Sequence, residues 1–346
     1  MDMVPQCRVY IDGMQIKPSA EMIESVTVQL SASQASNTCE VVIFCDHDNG
    51  KSTVGSIISR ASAGKKIRVE MGYSIPKTVF MGYVDSAGIS FSGDGVTLSL
   101  SCLDARGLLM GNISRESFEN KSVSQIVKEL LEPVRSYAGG VTVSVPGAAD
   151  KEYPIAMHDM DDYRFICMLA SMTGCSFYMT GTELKFVRDI YSSATVKERY
   201  TWGKNIISFT RNVALSGQLG KIRVIGTSPD TLEDFYADAS PLSGTGKSGA
   251  AMCPPIRSKV REVVSKTVKN QSEARTYAQS LMRSACLKLC TGSATVPGNE
   301  SLCPGTKVKF DGLDPKINGS YYITAITHSF DQGGFLTKID FCSPTG

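Results

Sequence analysis

The sequence predicts a mainly β, α+β protein in which two related barrel-like units of strands flank an α+β insert. Three observations lead there. Residues 64–104 and 305–343 repeat one layout at a nearly constant offset, the first hundred residues are punctuated like short strands, and helical periodicity begins only after Gly111. The repeat runs from Gly64-Lys65-Lys66-Ile67-Arg68-Val69 to Cys102, and from Gly305-Thr306-Lys307-Val308-Lys309-Phe310 to Cys342. Its offset is 305 − 64 = 241 at the start and 342 − 102 = 240 at the end. One long offset means a structural unit used twice, where a solenoid would show many short periods.

Taken in order, Arg8-Val9-Tyr10-Ile11 leads into an Asp12-Gly13 turn, and Val26 to Leu30 alternates as a half-buried strand does. Strands follow at 40–44, 66–71, 78–84 and 96–102, with a short helix expected within 50–63 and a hairpin turn at Asp94-Gly95. This first unit is assigned to residues 1–110. The insert, 111–200, opens with a capping box at Ser122-Val123-Ser124-Gln125, after which Val123, Ile126, Val127, Leu130 and Leu131 share a helix face until Pro133 ends it. A second helix starts at Asp161 or Asp162, turns Phe165, Ile166, Leu169 and Ala170 inward, and stops at Gly174. Short strands are expected at 176–179 and 183–187. The second unit, 201–346, resumes with strands at 206–211 and 221–225, and residues 207–226 can be laid on 25–44. A crossover at about 229–290 holds a Gly/Ser/Pro-rich loop and a basic helix near Ser272 to Leu289.

The bulk composition is that of an ordinary globular protein: 346 residues, 42% apolar, 20% charged, net charge +2. Nothing in that balance calls for a nucleic-acid or membrane partner. The amino terminus lacks a basic region followed by an apolar run, so no secretory signal is expected. No apolar run approaches the ~20 residues of a membrane span. The 11 cysteines are scattered without a CxxC pair, and several sit in apolar strands or helices. They read as buried, reduced thiols.

Sites for chemistry are weak. Gly244-Thr245-Gly246-Lys247-Ser248 resembles the end of a phosphate loop, but the glycine required at position 241 is Pro. Asp46-His47-Asp48-Asn49-Gly50 lacks the later bidentate Glu of a calcium loop. His158-Asp159-Met160-Asp161-Asp162 is explained by helix capping. Glu116 and Glu119 are a pair of acids without a sugar cleft. His328 reads as structural, and no G-x-S-x-G motif occurs. The expectation is therefore no enzyme, no cofactor and no metal.

The order of segments resembles the tail-hub proteins of contractile injection machines: the phage late control D family, phage baseplate hubs, the hub part of VgrG proteins and hubs of phage-tail-like bacteriocins. The resemblance lies in Phe80-Met81-Gly82-Tyr83-Val84 through Leu98 to Asp104, in Asp162-Tyr163-Arg164-Phe165-Ile166 through Gly174, in Leu184-Lys185-Phe186, and in Asn318-Gly319-Ser320-Tyr321-Tyr322-Ile323 through His328 and Gly334 to Thr337. It spans nearly the whole chain. It implies a homotrimer whose six related units form a pseudo-sixfold ring, adapting a hexameric inner tube to a trimeric spike. The implied partners are further copies of the chain, an inner tube or tube-initiator protein, a trimeric spike and other baseplate proteins, with no membrane in the resting state and no specific nucleic acid. Assembly in the bacterial cytoplasm, into a virion tail or a released tail-like particle, is implied as well. The chain stops at Gly346, just after the second unit, so the spike is expected to be a separate polypeptide.

Candidate subunit contacts are Val96, Leu98, Leu100 and Cys102 on one strand and Ile323, Ala325 and Thr327 on another. Lys259 and Arg261, in the main basic concentration, are either a solvated face or a docking site for an acidic partner. A tail-associated cell-wall hydrolase and a receptor-binding tail protein are the rival readings.

Overall fold

The computed structural model describes residues 4–16, 22–32, 36–45, 55, 58–59, 61–93, 95–113, 115–147, 149–153, 156–188, 191, 194–229, 231–242, 246–265 and 268–346. The chain reverses at once between β1 (Gln6–Ile11) and β2 (Met14–Gln15). Asp12 and Gly13 lie between them at φ 46° and 81°, the backbone that a two-residue hairpin needs to match strand twist. Next, β3 (Met22–Ser31) buries Val26, Val28 and Leu30, and β4 (Thr38–Cys45) buries Cys39, Val41, Ile43 and Cys45, at the period of two that puts alternate side chains on one face. With β5 (Lys66–Gly72), β6 (Lys77–Ser92) and β7 (Gly95–Leu103) the antiparallel order is β3-β4-β7-β6-β5-β1-β2. The expected helix within 50–63 and the residue Asp94 lie largely or wholly outside the described residues.

The insert contains β8 (Glu116–Phe118), β9 (Lys121–Ser122), α1 (Val123–Leu131), β10 (Gly140–Ser144), β11 (Glu152–Tyr153), β12 (Ala156–His158), α2 (Asp162–Thr173), β13 (Cys175–Thr180) and β14 (Glu183–Arg188). The capping box forms as expected, the Ser122 N–H donating to Gln125 Oε1 at 2.8 Å. Asp161 caps α2, and Gly174 ends it in the left-handed region at φ 67°. The apolar faces of both helices pack with β13 and β14 into a core of their own.

Strands then return as β15 (Val196–Thr201) and β16 (Ser208–Val213). A separate three-stranded sheet follows, built from β17 (Lys221–Thr227), β18 (Asp234–Ala239) and, after α3 (Gly249–Met252), β19 (Val260–Val264). It is covered by α4 (Gln271–Cys286), which buries Ala274, Ala278 and Met282 against it. The main sheet resumes with β20 (Cys290–Pro297), β21 (Lys307–Asp311), β22 (Gly319–Asp331) and β23 (Gly334–Ser343). Its order β16-β20-β23-β22-β21-β15 repeats β3-β4-β7-β6-β5-β1, except that β15 runs parallel to β21 whereas β1 is antiparallel to β5.

The repeat is thus real in the backbone, with two corrections to the register read from the sequence. Tyr83 faces Lys66 and Tyr322 faces Lys307, so the offset starts at 307 − 66 = 241. Beyond the turn it is 323 − 84 = 239, because Val84 pairs with Cys102 and Ile323 with Phe341, each just before a bulge. Phe341, and not Cys342, is therefore the counterpart of Cys102. A one-residue slip would have turned every side chain to the wrong face. The second correction concerns residues 207–226 laid on 25–44. The strand β16 does occupy the place of β3, but β17 belongs to the small separate sheet, and the counterpart of β4 is β20, after the long excursion of residues 214–289.

The two copies also share one sheet. The first part of β22 pairs with β21, whereas Ala325–Phe330 pairs antiparallel with Val26–Ser31 of β3. One apolar core consequently runs through both copies. Equivalent positions are filled differently: Val26, Val69, Gly82 and Cys102 in the first copy correspond to Phe209, Phe310, Tyr321 and Phe341 in the second. The latter pack as an aromatic cluster with ring centroids 4.8–5.8 Å apart.

A fully buried polar knot fastens the insert to the first copy. The Arg106 guanidinium donates to Asp104 Oδ2 and to Asn37 Oδ1, both at 2.8 Å. The Asn37 N–H donates to Asp104 Oδ2 at 2.8 Å, and its side-chain amide reaches the Met179 carbonyl on β13 at 3.1 Å. Asp104 and Arg106 have no solvent exposure, so deleting one leaves the other charged and uncompensated. Asp104→Ala is expected to cost about 3–5 kcal/mol in urea unfolding, and the double variant Asp104→Ala/Arg106→Met to recover most of that loss. Equal losses in both would show that the knot does not act as a charge pair.

Candidate assembly interface

The sequence-derived contact residues fall into three settings. Val96, Leu98, Leu100 and Cys102 point into the core from β7, which is hydrogen-bonded on both sides, to β4 and β6. Ile323 is buried on β22, and Ala325 and Thr327 are half-buried there, between β23 and β3. Lys259 and Arg261 are exposed, at and beside the start of β19, on the edge of the small sheet. None of the seven strand residues has a free backbone edge within the chain.

The free edges lie elsewhere. Beyond the bulge after Val84, β6 continues for eight residues, Asp85–Ser92, all exposed and paired only to β7 among the described residues. Ile89 and Phe91 are 43% and 64% exposed there, on the side of the strand that carries Ala87. At the other end of the main sheet, β16 pairs only with β20 among the described residues, and Val213 on it and Ile207 just before it are exposed. Sequence alternation found the buried neighbours of these edges because burial gives the periodic signal. The edges themselves, Ser-Ala-Gly-Ile-Ser-Phe at 86–91 and Ser-Phe-Thr-Arg-Asn-Val at 208–213, mix small, polar and aromatic residues, and what alternation they have does not reveal that one side of the strand lacks a neighbour.

The chemical motifs resolve into structural roles where they are described. The Ser248 side chain caps α3, accepting from the Ala251 N–H at 3.3 Å, and Lys247 exchanges backbone hydrogen bonds with Gly346. A four-residue helix of this kind is no phosphate cradle. Gly244 and Thr245, like the loop 46–50, lie outside the described residues, as does the His158 side chain. Asp161 accepts from the Arg164 N–H at 2.8 Å as a cap. A cavity of about 510 Å³ borders β16, and Asp340 is the single carboxylate in a lining that includes Thr210, Asn212 and Lys288. All 11 cysteines are free thiols, and burial pushes Cys7, Cys102 and Cys342 up to about 12, away from the reactive thiolate. Among the described residues no group of three or more His, Cys, Asp or Glu side chains converges to hold a metal, and no helix is long and apolar enough to cross a membrane.

His328 sits at the seam between the two copies, opposite Val28. It is fully buried, 3.0 Å from Thr337 Oγ1 through Nδ1, with its ring 5.7 Å from Phe335. Burial pulls its pKa down to about 4, so the ring is neutral in the folded chain.

These features were compared with known proteins. The fold matches the 43 kDa tail protein of prophage MuSo2 from Shewanella oneidensis with a TM-score of 0.73, at 16% identity over 98% of each chain. A tail protein from Neisseria meningitidis MC58 matches with a TM-score of 0.70, at 14% identity over 98% of this chain and 97% of that one. A component of the type VI secretion system of E. coli, itself described as similar to phage T4 tail proteins, gives 0.60 at 11% identity over 98% of this chain and 78% of that one. The chain therefore has the fold of these proteins. No curated protein matches it in sequence. A family model described as Alg8 N-terminal domain matches residues 2–332.

The seam makes a pH prediction. An unfolded histidine binds its proton near pH 6.5, whereas buried His328 does so only near 4, so the unfolded chain gains protons between those values. Stability is thus complete above pH 6.5 and is lost as pH falls towards 4, by about 3 kcal/mol for this residue. Urea midpoints at pH 7 and pH 4.5 should converge in His328→Gln relative to the parent, and an unchanged gap would assign the acid sensitivity to other groups.

Proposed function

The chain belongs to the Alg8 N-terminal domain family, and from its tail-protein fold we propose that it is a non-enzymatic structural hub of a contractile tail or tail-like injection particle. In this reading it is a homotrimer that adapts a hexameric inner tube to a trimeric spike. The observation that carries the reading is the duplication: two strand sets of the same order and bulge position, fused edge to edge in one sheet. Three such chains present six near-equivalent surfaces around an axis while retaining threefold stoichiometry. A tube of six subunits can then meet the ring with one repeated contact, and a three-chain spike can meet it with another.

The units 1–110, 111–200 and 201–346 serve this scheme as first ring element, insert and second ring element. The insert and the small sheet with α4 lie outside the repeated strand set and touch each other through α2 and α4, with Lys151 3.4 Å from Glu273. In this scheme they meet spike and baseplate proteins, with Lys259 and Arg261 docking an acidic one. The likeness to tail proteins supports localisation in a virion tail or tail-like particle, and the scheme has that particle assembled in the bacterial cytoplasm.

Native mass spectrometry of the full chain, alone and with the tube and spike proteins of its particle, tests the reading. A three-chain species that co-purifies with both is expected. A chain that stays monomeric in their presence overturns the hub, and turnover of peptidoglycan by the purified chain would favour the hydrolase instead.

A further inference from the structure

The internal seam is a template for a second, external one. Within the chain, Phe330 faces Val26, His328 faces Val28 and Ile326 faces Leu30. Each partner has a counterpart in the other copy. The β22 positions map to β6 at the offset of 239, so Phe330, His328 and Ile326 correspond to Phe91, Ile89 and Ala87. The β3 positions map to β16 through the ladder. Val28 faces Cys39, which faces Cys102, while Arg211 faces Gly292, which faces Phe341, giving 211 − 28 = 183. Val26, Val28 and Leu30 thus correspond to Phe209, Arg211 and Val213.

Those counterparts are the two free edges. In the second copy the distal half of the long strand is covered by β3, whereas in the first copy no strand among the described residues covers the equivalent half. At the far end of the sheet, β16 has among the described residues no neighbour like the one its counterpart β3 has in β22. Among the described residues no strand pairs with either edge, and a free strand edge of this kind is a template for another strand. The side chains agree with the backbone. Ala87, Ile89 and Phe91 share the face of Leu98 and Leu100, their partners across β7 and neighbours, so a strand added beside them would extend the core face.

We propose that Ser86–Phe91 of one copy pairs antiparallel with Phe209–Ala214 of the next, with Phe91 opposite Phe209, Ile89 opposite Arg211 and Ala87 opposite Val213. The occupant of each edge is a second copy of this chain, because the missing partner of β6 has the same place in the repeat as β16, and the reverse. The contact is heterologous, since each chain offers one edge of each kind, and repeated head to tail it closes into a ring. Internal seam and external seam then alternate around that ring. The hub reading is deepened by this and supplies the ring; the register comes from the repeat alone.

Paired cysteines read the register. Ser90 and Thr210 are both exposed, and the proposed pairing sets them directly opposite each other on the face away from the core. Direct cross-strand pairs lie about 4.5–5.5 Å apart at Cβ and diagonal ones about 7–8 Å, beyond the reach of a disulfide. Under mild oxidation of the full chain, Ser90→Cys/Thr210→Cys should give reducible multimers ending at three chains. Ser90→Cys/Asn212→Cys, two residues out of register, should give at least ~10-fold less, matching the unmodified chain with its native thiols. Neither single variant should link to itself, but mixing them should link them pairwise. Ile89→Lys/Phe91→Lys should keep the monomer's circular dichroism and lose the three-chain mass.

A three-chain mass without the Ser90–Thr210 link, or with equal linkage in both registers, overturns the strand pairing and leaves the hub standing. A monomer with no links at any concentration overturns both. Linkage of Ser90→Cys to an added tube protein, instead of to Thr210→Cys, overturns the choice of occupant.

Discussion

Strand edges cannot be left with unpaired backbone groups in a protein interior, and the pairing of β22 with β3 is how this chain meets that constraint between its two copies. Six residues of β22 and six of β3 face each other across the seam, and the buried side chains of both strands enter one core. A duplicated unit tethered by a loop would be free to reorient. Duplicates fused through a backbone ladder are not, because register and twist together fix their mutual rotation. His328 is sealed within this seam and kept neutral by it, which ties the electrostatics of the site to the same few hydrogen bonds.

Around that fixed backbone the cores have diverged. The first copy is filled mainly by aliphatic residues and cysteines around Phe80, whereas the second adds stacked and edge-on rings such as Phe209, Phe310, Tyr321 and Phe341 to its aliphatic residues. Cores accept wholesale exchange of hydrophobic residues when total volume and patterning are preserved. Small residues make room for large ones: a Cβ at Gly292 would lie 2.5 Å from the Phe341 ring, so that glycine is what admits the aromatic. The copies therefore keep pattern, turns and bulges while losing identity.

This divergence sets what was legible in the sequence. The turn glycines, the Lys66/Lys307 correspondence and the two insert helices were all readable, because caps, turns and alternation are local. The register slip at Cys102 was not, since a turn shortened by two residues between β21 and β22 is invisible beside a tempting Cys–Cys match. The place of β20 was hidden by the excursion between it and β16, in which β17 mimics the strand expected next. The interface suffered for a different reason. Buried central strands such as β7 show clean alternation, but whether a strand has a neighbour on each side is a property of the whole sheet. Val96 to Cys102 thus stood out in the sequence although both edges of that strand are already paired.

The positions of the excursions follow from the same sheet logic. Residues 104–195 leave after β7 and return before β15, and residues 214–289 leave after β16 and return into β20. Both depart at strand ends, so neither interrupts a ladder, and the two meet each other where α2 approaches α4. Each has its own apolar core, so substitutions inside one need not propagate into the shared core of the repeat. The buried Asn37–Asp104–Arg106 knot does couple the insert to the first copy, tying β13 to the ends of β4 and β7, as does the Met81 N–H bond to the Gly181 carbonyl at 2.8 Å. A rigid repeated frame with appended, separately packed modules lets the partner-facing parts vary while the spacing of the frame stays constant. Under the hub reading, that separation is what allows one ring geometry to serve a sixfold neighbour on one side and a threefold neighbour on the other.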